Sequence, residues 1–430
     1  PGGAIMEDSA AWRSALLPET FFQHTFPNGL VLLAERMAGV QSAGMNLLVP
    51  AGAATDPLHG SGSANVLSDL IFRGAGDRDS RALTDHLDSL GLQRSSTVGV
   101  HHTRLACRGL GERVLEGLAA YADIVRRPQL PRAGFEAARD LAIQAVEGIE
   151  DDPRQKLFIK LHEWHLPPPY GRPSIGQIDH LRRITLDMAR CDFAQRYHAA
   201  EAILAVAGNI EWERLKDEVE RHFGDWQRGE DQPIELQSPP GRFFHQPQQS
   251  EQTHIGIAWT TVPETHPDYY VMRLAIEMLS GGMSGRLFTE IREKRGLVYH
   301  VSAGYSSLKN YGGVFGYAGT SNDRAQETLD AFLGELDRFT RGVTAEELER
   351  AKVGLKSAMI MQGESTAARA AAIAHDWFMR GRIRTLDEIK AAIDSITLER
   401  VNAWLAANPP GPFTIVTVGP KELKPGINGP

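Results

Sequence analysis

Met283-Ser284-Gly285-Arg286-Leu287-Phe288-Thr289-Glu290-Ile291-Arg292-Glu293-Lys294-Arg295-Gly296-Leu297-Val298-Tyr299 carries a loop, a helix, a cap and the start of a strand in one short span. Ser280 to Gly285 is glycine-rich, and Ser284 to Lys294 has helical periodicity. Arg295 ends that helix, where the dipole favours a cation. Gly296 is suited to the C-cap, and Val298 to Tyr305 reads as a strand in which tyrosine is common.

Similar elements extend in both directions. His254 to Trp259 and Gly313 to Ala318 read as strands, and Tyr269 to Leu279, Ala325 to Phe339 and Ala345 to Met361 as helices. The chain closes on an apolar strand, Phe413 to Gly419. In the first half, Asn28-Gly29 lies between two apolar stretches, a strong hairpin signal. Strands are expected at Ala43 to Pro50, around Thr97 to Ala106, and at Ile203 to Asn209. Helices are expected after the loop Gly60 to Ser63, ending near Gly74, and over Glu112 to Val125 and Gly134 to Ile149.

The two halves repeat. Phe135 to Arg139 aligns with Leu348 to Lys352, and Gly208 with Gly419, at an offset of about 210 residues. Residues 229–250 are rich in proline and glycine (Pro233, Pro239, Pro240, Gly241, Pro247) and read as a linker. The expected division is an N-terminal segment 1–20, a first domain 21–228, the linker, and a second domain 251–430. Strands mixed with long helices, without strict alternation, indicate α+β rather than a doubly wound sheet.

Composition is that of a globular chain: 430 residues, 42% hydrophobic and 23% charged. The net charge of −8 and pI near 6.0 argue against nucleic acid or an anionic membrane as the main partner. Cys107 and Cys191 form no CxxC pair and are expected to be buried free thiols. No apolar run approaches the roughly 18 residues of a membrane span. Residues Pro1 to Leu16 lack a signal-peptide pattern, and Pro1 to Ile5 precede the first methionine. The expectation is a soluble protein, cytoplasmic or, if a signal has been removed, periplasmic.

The string from Met283 to Tyr299, with the Asn-Gly hairpin, Ala51-Gly52-Ala53 and Asp151-Asp152-Pro153, resembles the pitrilysin/insulinase family of zinc peptidases over nearly the whole chain. The resemblance implies two homologous domains, each an antiparallel sheet covered by helices, forming half of a clamshell around an unfolded peptide. Active members bind zinc through HxxEH in the first domain. Residues i and i+4 share a helix face and converge on one metal, the intervening glutamate is the general base, and a later glutamate completes the ligands.

In this chain the matching stretch is Gly62 to Leu70, with Asn65, Ser68 and Asp69 where histidine, glutamate and histidine are expected. The later glutamate falls at Ala145, with Glu147 and Glu150 out of register. The resemblance therefore implies no metal in this chain, the zinc being held by a partner. His162-Glu163-Trp164-His165 has the wrong spacing for the motif, and His101 and His102, adjacent on an expected strand, would point to opposite faces. His254, His300 and His375 stand alone in the sequence.

The family's Arg/Tyr pair of the second domain is retained as Arg295 and Tyr299. By resemblance it binds substrate and stabilises the reacting carbonyl, an oxyanion-hole type of contribution. The loop Gly281, Gly282, Gly285 lacks P-loop order, so a mobile loop near the peptide channel is expected in place of a nucleotide site. Together these imply the non-zinc subunit of a heterodimeric peptidase, paired with an HxxEH-bearing homologue. The alternatives are a structural subunit of a larger complex and a non-catalytic peptide-binding homodimer.

Overall fold

A computed structural model describes residues 20–230, 233–239 and 241–425. The segment Pro1–Ile5, nearly all of the expected N-terminal segment and Pro240 lie outside the described residues.

The first domain contains β1 (Thr20–Thr25), β2 (Val31–Arg36), β3 (Ser42–Val49), α1 (Ser63–Leu70), a small ribbon of β4 (Gly74–Ala75) and β5 (Arg78–Asp79), α2 (Ser80–Ser89), β6 (Gln93–Val98) and β7 (Thr103–Leu110). It continues with α3 (Gly111–Arg126), α4 (Arg132–Gly148), α5 (Pro153–His165), α6 (Ile178–Leu181), α7 (Leu186–Arg196), β8 (Ile203–Gly208) and α8 (Trp212–Phe223). The second contains β9 (Phe243–Pro247), β10 (Gln252–Thr261), α9 (Tyr269–Ser280), a wide turn at Phe288–Glu293, β11 (His300–Leu308) and β12 (Tyr311–Ser321). Then follow α10 (Ala325–Phe339), α11 (Ala345–Gly363), α12 (Thr366–Arg380), α13 (Leu386–Asp394), α14 (Leu398–Ala407) and β13 (Thr414–Gly419).

The first sheet runs β1-β2-β8-β3-β7-β6 and the second β11-β12-β10-β13-β9. Both are mixed rather than wholly antiparallel. β2 pairs parallel with β8, and β9 pairs parallel with β13, at matching places in the repeat. Phe243 to Pro247 thus corrects the reading of 229–250 as linker throughout: its backbone completes the second sheet, opposite Ile415 to Gly419. The strand expected around Thr97 to Ala106 is instead a β6–β7 hairpin whose turn, Gly99 to His102, is closed by Gly99 N–H donating to the His102 carbonyl at 2.8 Å. The Asn28-Gly29 turn is as expected, with Gly29 at φ +94° and Asn28 Oδ1 accepting from Leu30 N–H at 3.1 Å.

One face of each sheet carries a core built from its own domain. In the first, Leu32, Met45, Leu47 and Val206 pack with Leu67, Leu118 and Tyr121; in the second, Ile255, Ile257 and Val314 pack with Leu274, Phe332 and Leu336. The other face is covered from across the molecule. Ile373 and Ala374 of α12 pack on Leu33, Leu48, Ile203 and Ala205, and Leu157 and Leu161 of α5 pack on Ala258, Val416 and Val418. Two glycines at equivalent repeat positions let these helices approach. A β-carbon on Gly44 would lie 2.6 Å from the Ala367 backbone, and one on Gly256 would lie 3.0 Å from the Leu161 side chain.

Candidate functional site

Asn65, Ser68 and Asp69 lie along α1 and are half-buried, while Ala145 on α4 is exposed. Asn65, Ser68 and Asp69 each make a local hydrogen bond or ion pair. Asn65 Nδ2 donates to the Ile175 carbonyl at 3.3 Å, Ser68 Oγ donates to the Asn65 carbonyl at 2.8 Å, and Asp69 pairs with Arg73 at 2.6 Å. Ala145 brings no donor atom. Glu147 turns to Arg182 at 3.3 Å, an exposed pair. An amide, a hydroxyl, a carboxylate held by an arginine and a methyl group do not make a zinc site. Among the described residues no group of three His, Cys, Asp or Glu could hold a metal.

Beneath α1 sits a buried ionic network. Asp56 accepts from Gly62 N–H at 2.7 Å and Ala64 N–H at 2.9 Å, capping the helix start, and burial raises its pKa against the pull of Arg196. Arg196, only 2% exposed, reaches Asp56 at 3.2 Å and holds Asp192 through Nε at 2.7 Å and through Nη2. Ser63 Oγ donates to Asp192. One guanidinium between two carboxylates thus fixes where α1 begins. Sequence patterns gave no sign of it, because Asp56 and Asp192 lie far apart in the chain.

Arg295 and Tyr299 flank a turn with a fixed backbone. The expected helix over Ser284 to Lys294 begins at Arg286 and is wide over Phe288–Glu293: Lys294 N–H reaches the Thr289 carbonyl at 3.0 Å, five residues back. The helix closes with Gly296 at φ +60° and its N–H on the Arg292 carbonyl at 3.1 Å, the αL motif, and Leu297 N–H reaches the Ile291 carbonyl. Arg324 Nη1 grips the Gly296 carbonyl at 2.6 Å, Thr320 Oγ1 grips that of Leu297 at 2.5 Å, and Tyr299 N–H bonds the Gly319 carbonyl at 3.0 Å. Both side chains are exposed, Tyr299 by 66%, and among the described residues neither has a hydrogen-bond or ion-pair partner. Anchored backbone with free donors is suited to holding a ligand carbonyl or carboxylate.

In the glycine loop, Gly281 N–H returns to the Glu277 carbonyl at 2.6 Å, Gly282 takes φ +89°, and Gly285 N–H bonds the Gly282 carbonyl at 3.1 Å. Met283 stands 76% exposed at the tip. Arg286 secures the loop's far end with two bonds to Glu347, at 2.6 and 2.9 Å, and Glu347 also caps α11 with Thr344.

The other expectations divide. Cys107 is buried and its thiol is pushed up to about 12 by burial, but Cys191 is exposed on α7, correcting the reading of two buried thiols. His101 and His102 lie in the β6–β7 turn, not on a strand, and both rings meet Phe378, at 5.1 and 4.4 Å. Burial, with Lys309 nearby, depresses them to about 4 and about 3, so both are neutral at pH 7. His165 is a structural residue, bonded to Thr414 and Tyr311 at 3.0 Å each, and His162 stacks on Phe315. His375 is not isolated: it bonds Glu264 at 2.8 Å.

Residues 31–173 match the family described as Insulinase (Peptidase family M16), and residues 183–355 match Peptidase M16 inactive domain. The chain belongs to the M16 insulinase/pitrilysin family. Relatives of this M16 chain include an uncharacterised zinc protease of Rickettsia bellii, 28% identical over 95% of this chain and 99% of the relative. Another, from Bacillus subtilis, is 25% identical over 88% and 93%. Among solved structures, a peptidase M16 inactive domain from Pseudomonas fluorescens superposes with a TM-score of 0.84 at 20% identity, covering 94% of this chain and 99% of that one. A chain of Complex III2 from Candida albicans gives 0.80 at 17% identity, covering 95% and 98%. These likenesses establish the shared fold: two domains, each a mixed sheet covered by helices. No helix among the described residues is long and apolar enough to cross a membrane.

Proposed function

We propose that this chain is the non-zinc half of a two-subunit M16 peptidase that cleaves unfolded peptides. A homologous partner carries HxxEH and the zinc; this chain supplies half of the chamber together with Arg295 and Tyr299. One observation supports the reading: among the described residues no group of three ligands could hold a metal, and Arg295 and Tyr299 present an exposed guanidinium and phenol without a hydrogen-bond or ion-pair partner on an anchored turn. A guanidinium and a phenol beside a scissile carbonyl stabilise the negative charge that develops on its oxygen. β6 is an edge strand with most side chains exposed, a suitable rail for an extended peptide added to the sheet.

The test is reconstitution. This chain is mixed with an HxxEH-bearing M16 homologue from the same genome and assayed on a quenched unfolded peptide. Cleavage by the pair that neither chain gives alone supports the reading. Peptide cleavage by this chain alone with one equivalent of bound zinc sinks it.

The likeness to a chain of Complex III2 favours a second reading, a purely structural subunit. Arg295→Ala and Tyr299→Ala discriminate, because a scaffold's pair would keep full activity without them.

A further inference from the structure

A cavity of ≈ 200 Å³ lies between α9, α11, α12 and α13, and its lining includes neither the glycine loop nor Arg295. With about 30 Å³ per water, it has room for about seven water-sized groups, the scale of a single amino acid. Its lining includes the hydrogen-bond donors Arg273, Arg369, Arg384, Tyr269 and Tyr270. It also includes the apolar side chains of Leu355, Met359, Ile373, Leu386 and Ile389.

The donors outnumber the acceptors. Arg369 is 5% exposed, and its Nε is spent on Glu35, but its Nη2 is buried with no hydrogen-bond partner. Arg273 donates to the Tyr269 hydroxyl at 3.2 Å and lies near the Tyr269 and Tyr305 rings, and among the described residues no carboxylate comes within 4.0 Å of it. Glu277, one turn further along α9, feels its charge from a greater distance. Arg384 donates to the Tyr270 hydroxyl at 2.5 Å, so both phenol oxygens act as acceptors for arginines and keep their own O–H to give. Burial raises both phenols, holding them protonated at neutral pH. The one carboxylate in the lining, Asp376, is taken by Arg384 and its backbone N–H. A buried donor without an acceptor costs free energy, and a group supplying oxygen lone pairs and one negative charge would recover it.

We infer that this cavity binds a small aliphatic carboxylate, its carboxyl group on Arg273, Arg369 and the two phenols and its hydrocarbon body against Leu355, Met359 and Ile389. The free acid and the carboxyl-terminal residue of a short peptide share this chemistry. The inference stands apart from the proposed peptidase role, since it uses neither Arg295 and Tyr299 nor a partner subunit.

Calorimetric titration of the full chain with 4-methylpentanoate and with N-acetyl-leucine tests it, using 4-methylpentanamide as the uncharged control. At least one carboxylate should bind saturably at one site, at least tenfold tighter than the amide. Preference for the free acid identifies a metabolite-type ligand, and preference for N-acetyl-leucine a peptide carboxyl terminus. Arg273→Gln should weaken binding at least tenfold. Tyr270→Phe, which preserves shape, should weaken it severalfold and guards against misfolding of the first variant. No saturable binding of either carboxylate overturns the assignment, as does equal binding of the amide or binding untouched by both substitutions.

Discussion

Glu35 on β2 and Arg369 on α12 meet as a buried ion pair at 2.8 Å although 334 residues separate them in the chain. Each is 5% exposed, so the pair sits inside the joint where the second domain's helix covers the first domain's sheet. Replacing one partner removes a buried charge-to-charge contact, at about 3–5 kcal/mol. Arg369→Met alone should therefore lower the unfolding free energy by that order in urea titrations, while Glu35→Leu with Arg369→Met should recover much of it. A double variant as unstable as the sum of the singles would show that the two do not act as a pair.

Glu264 supplies a pH dependence. Burial alone would raise its carboxyl, but bonds from His375 and Ser307 and the charge of Arg380 hold it at about 2, below the ordinary 4.5. A depressed carboxyl contributes stability that is complete above the unfolded value and disappears as pH falls through the folded one. The contribution, on the order of 3 kcal/mol, should decline between about pH 4.5 and pH 2. Glu264→Gln should flatten that part of the stability–pH curve. If wild type and variant lose stability in parallel across the window, Glu264 is not its source.

Arg196 holds Asp56 and Asp192 together under α1. Arg196→Met strands two carboxylates and should destabilise by about 3–5 kcal/mol. Because Asp56 caps α1, amide exchange over residues 62–70 should accelerate first. Uniform exchange across the first domain would deny the network its local role.

The exposed Arg295 and Tyr299 predict the opposite profile. Substitution to alanine should leave the melting temperature unchanged, as for most surface positions. In the reconstituted pair, each should lower kcat/KM by about 10²–10³, the scale of a lost oxyanion donor. A melting shift matching the loss of activity would reveal a folding defect instead.

Local pattern carried much of this fold into the sequence. Helical periodicity marked Ala325–Phe339 at its observed bounds, and the apolar runs at β8 and β13 announced two central strands. Where contacts are distant, the signal vanished. Phe243 and Phe244 sit among prolines, and only pairing with β13 makes them a strand. Gly99 to His102 has weak turn chemistry, so two strands merged into one. Asn65, Ser68 and Asp69 share one helix, so their spacing was legible in the sequence. The Arg196, Glu264 and Glu35 clusters were not, because their members converge only after folding.

The crossing of α5 and α12 makes the two domains reciprocally dependent. Released alone, the first would bare Leu33, Leu48, Ile203 and Ala205, and the second would bare Ala258, Val416 and Val418. A nick within 233–239 would leave two fragments clasped without a covalent link, and a gene split there would need both products made together. The same reciprocity ties the α1 surface and the Arg295 turn into one body, so neither can shift without the other's domain.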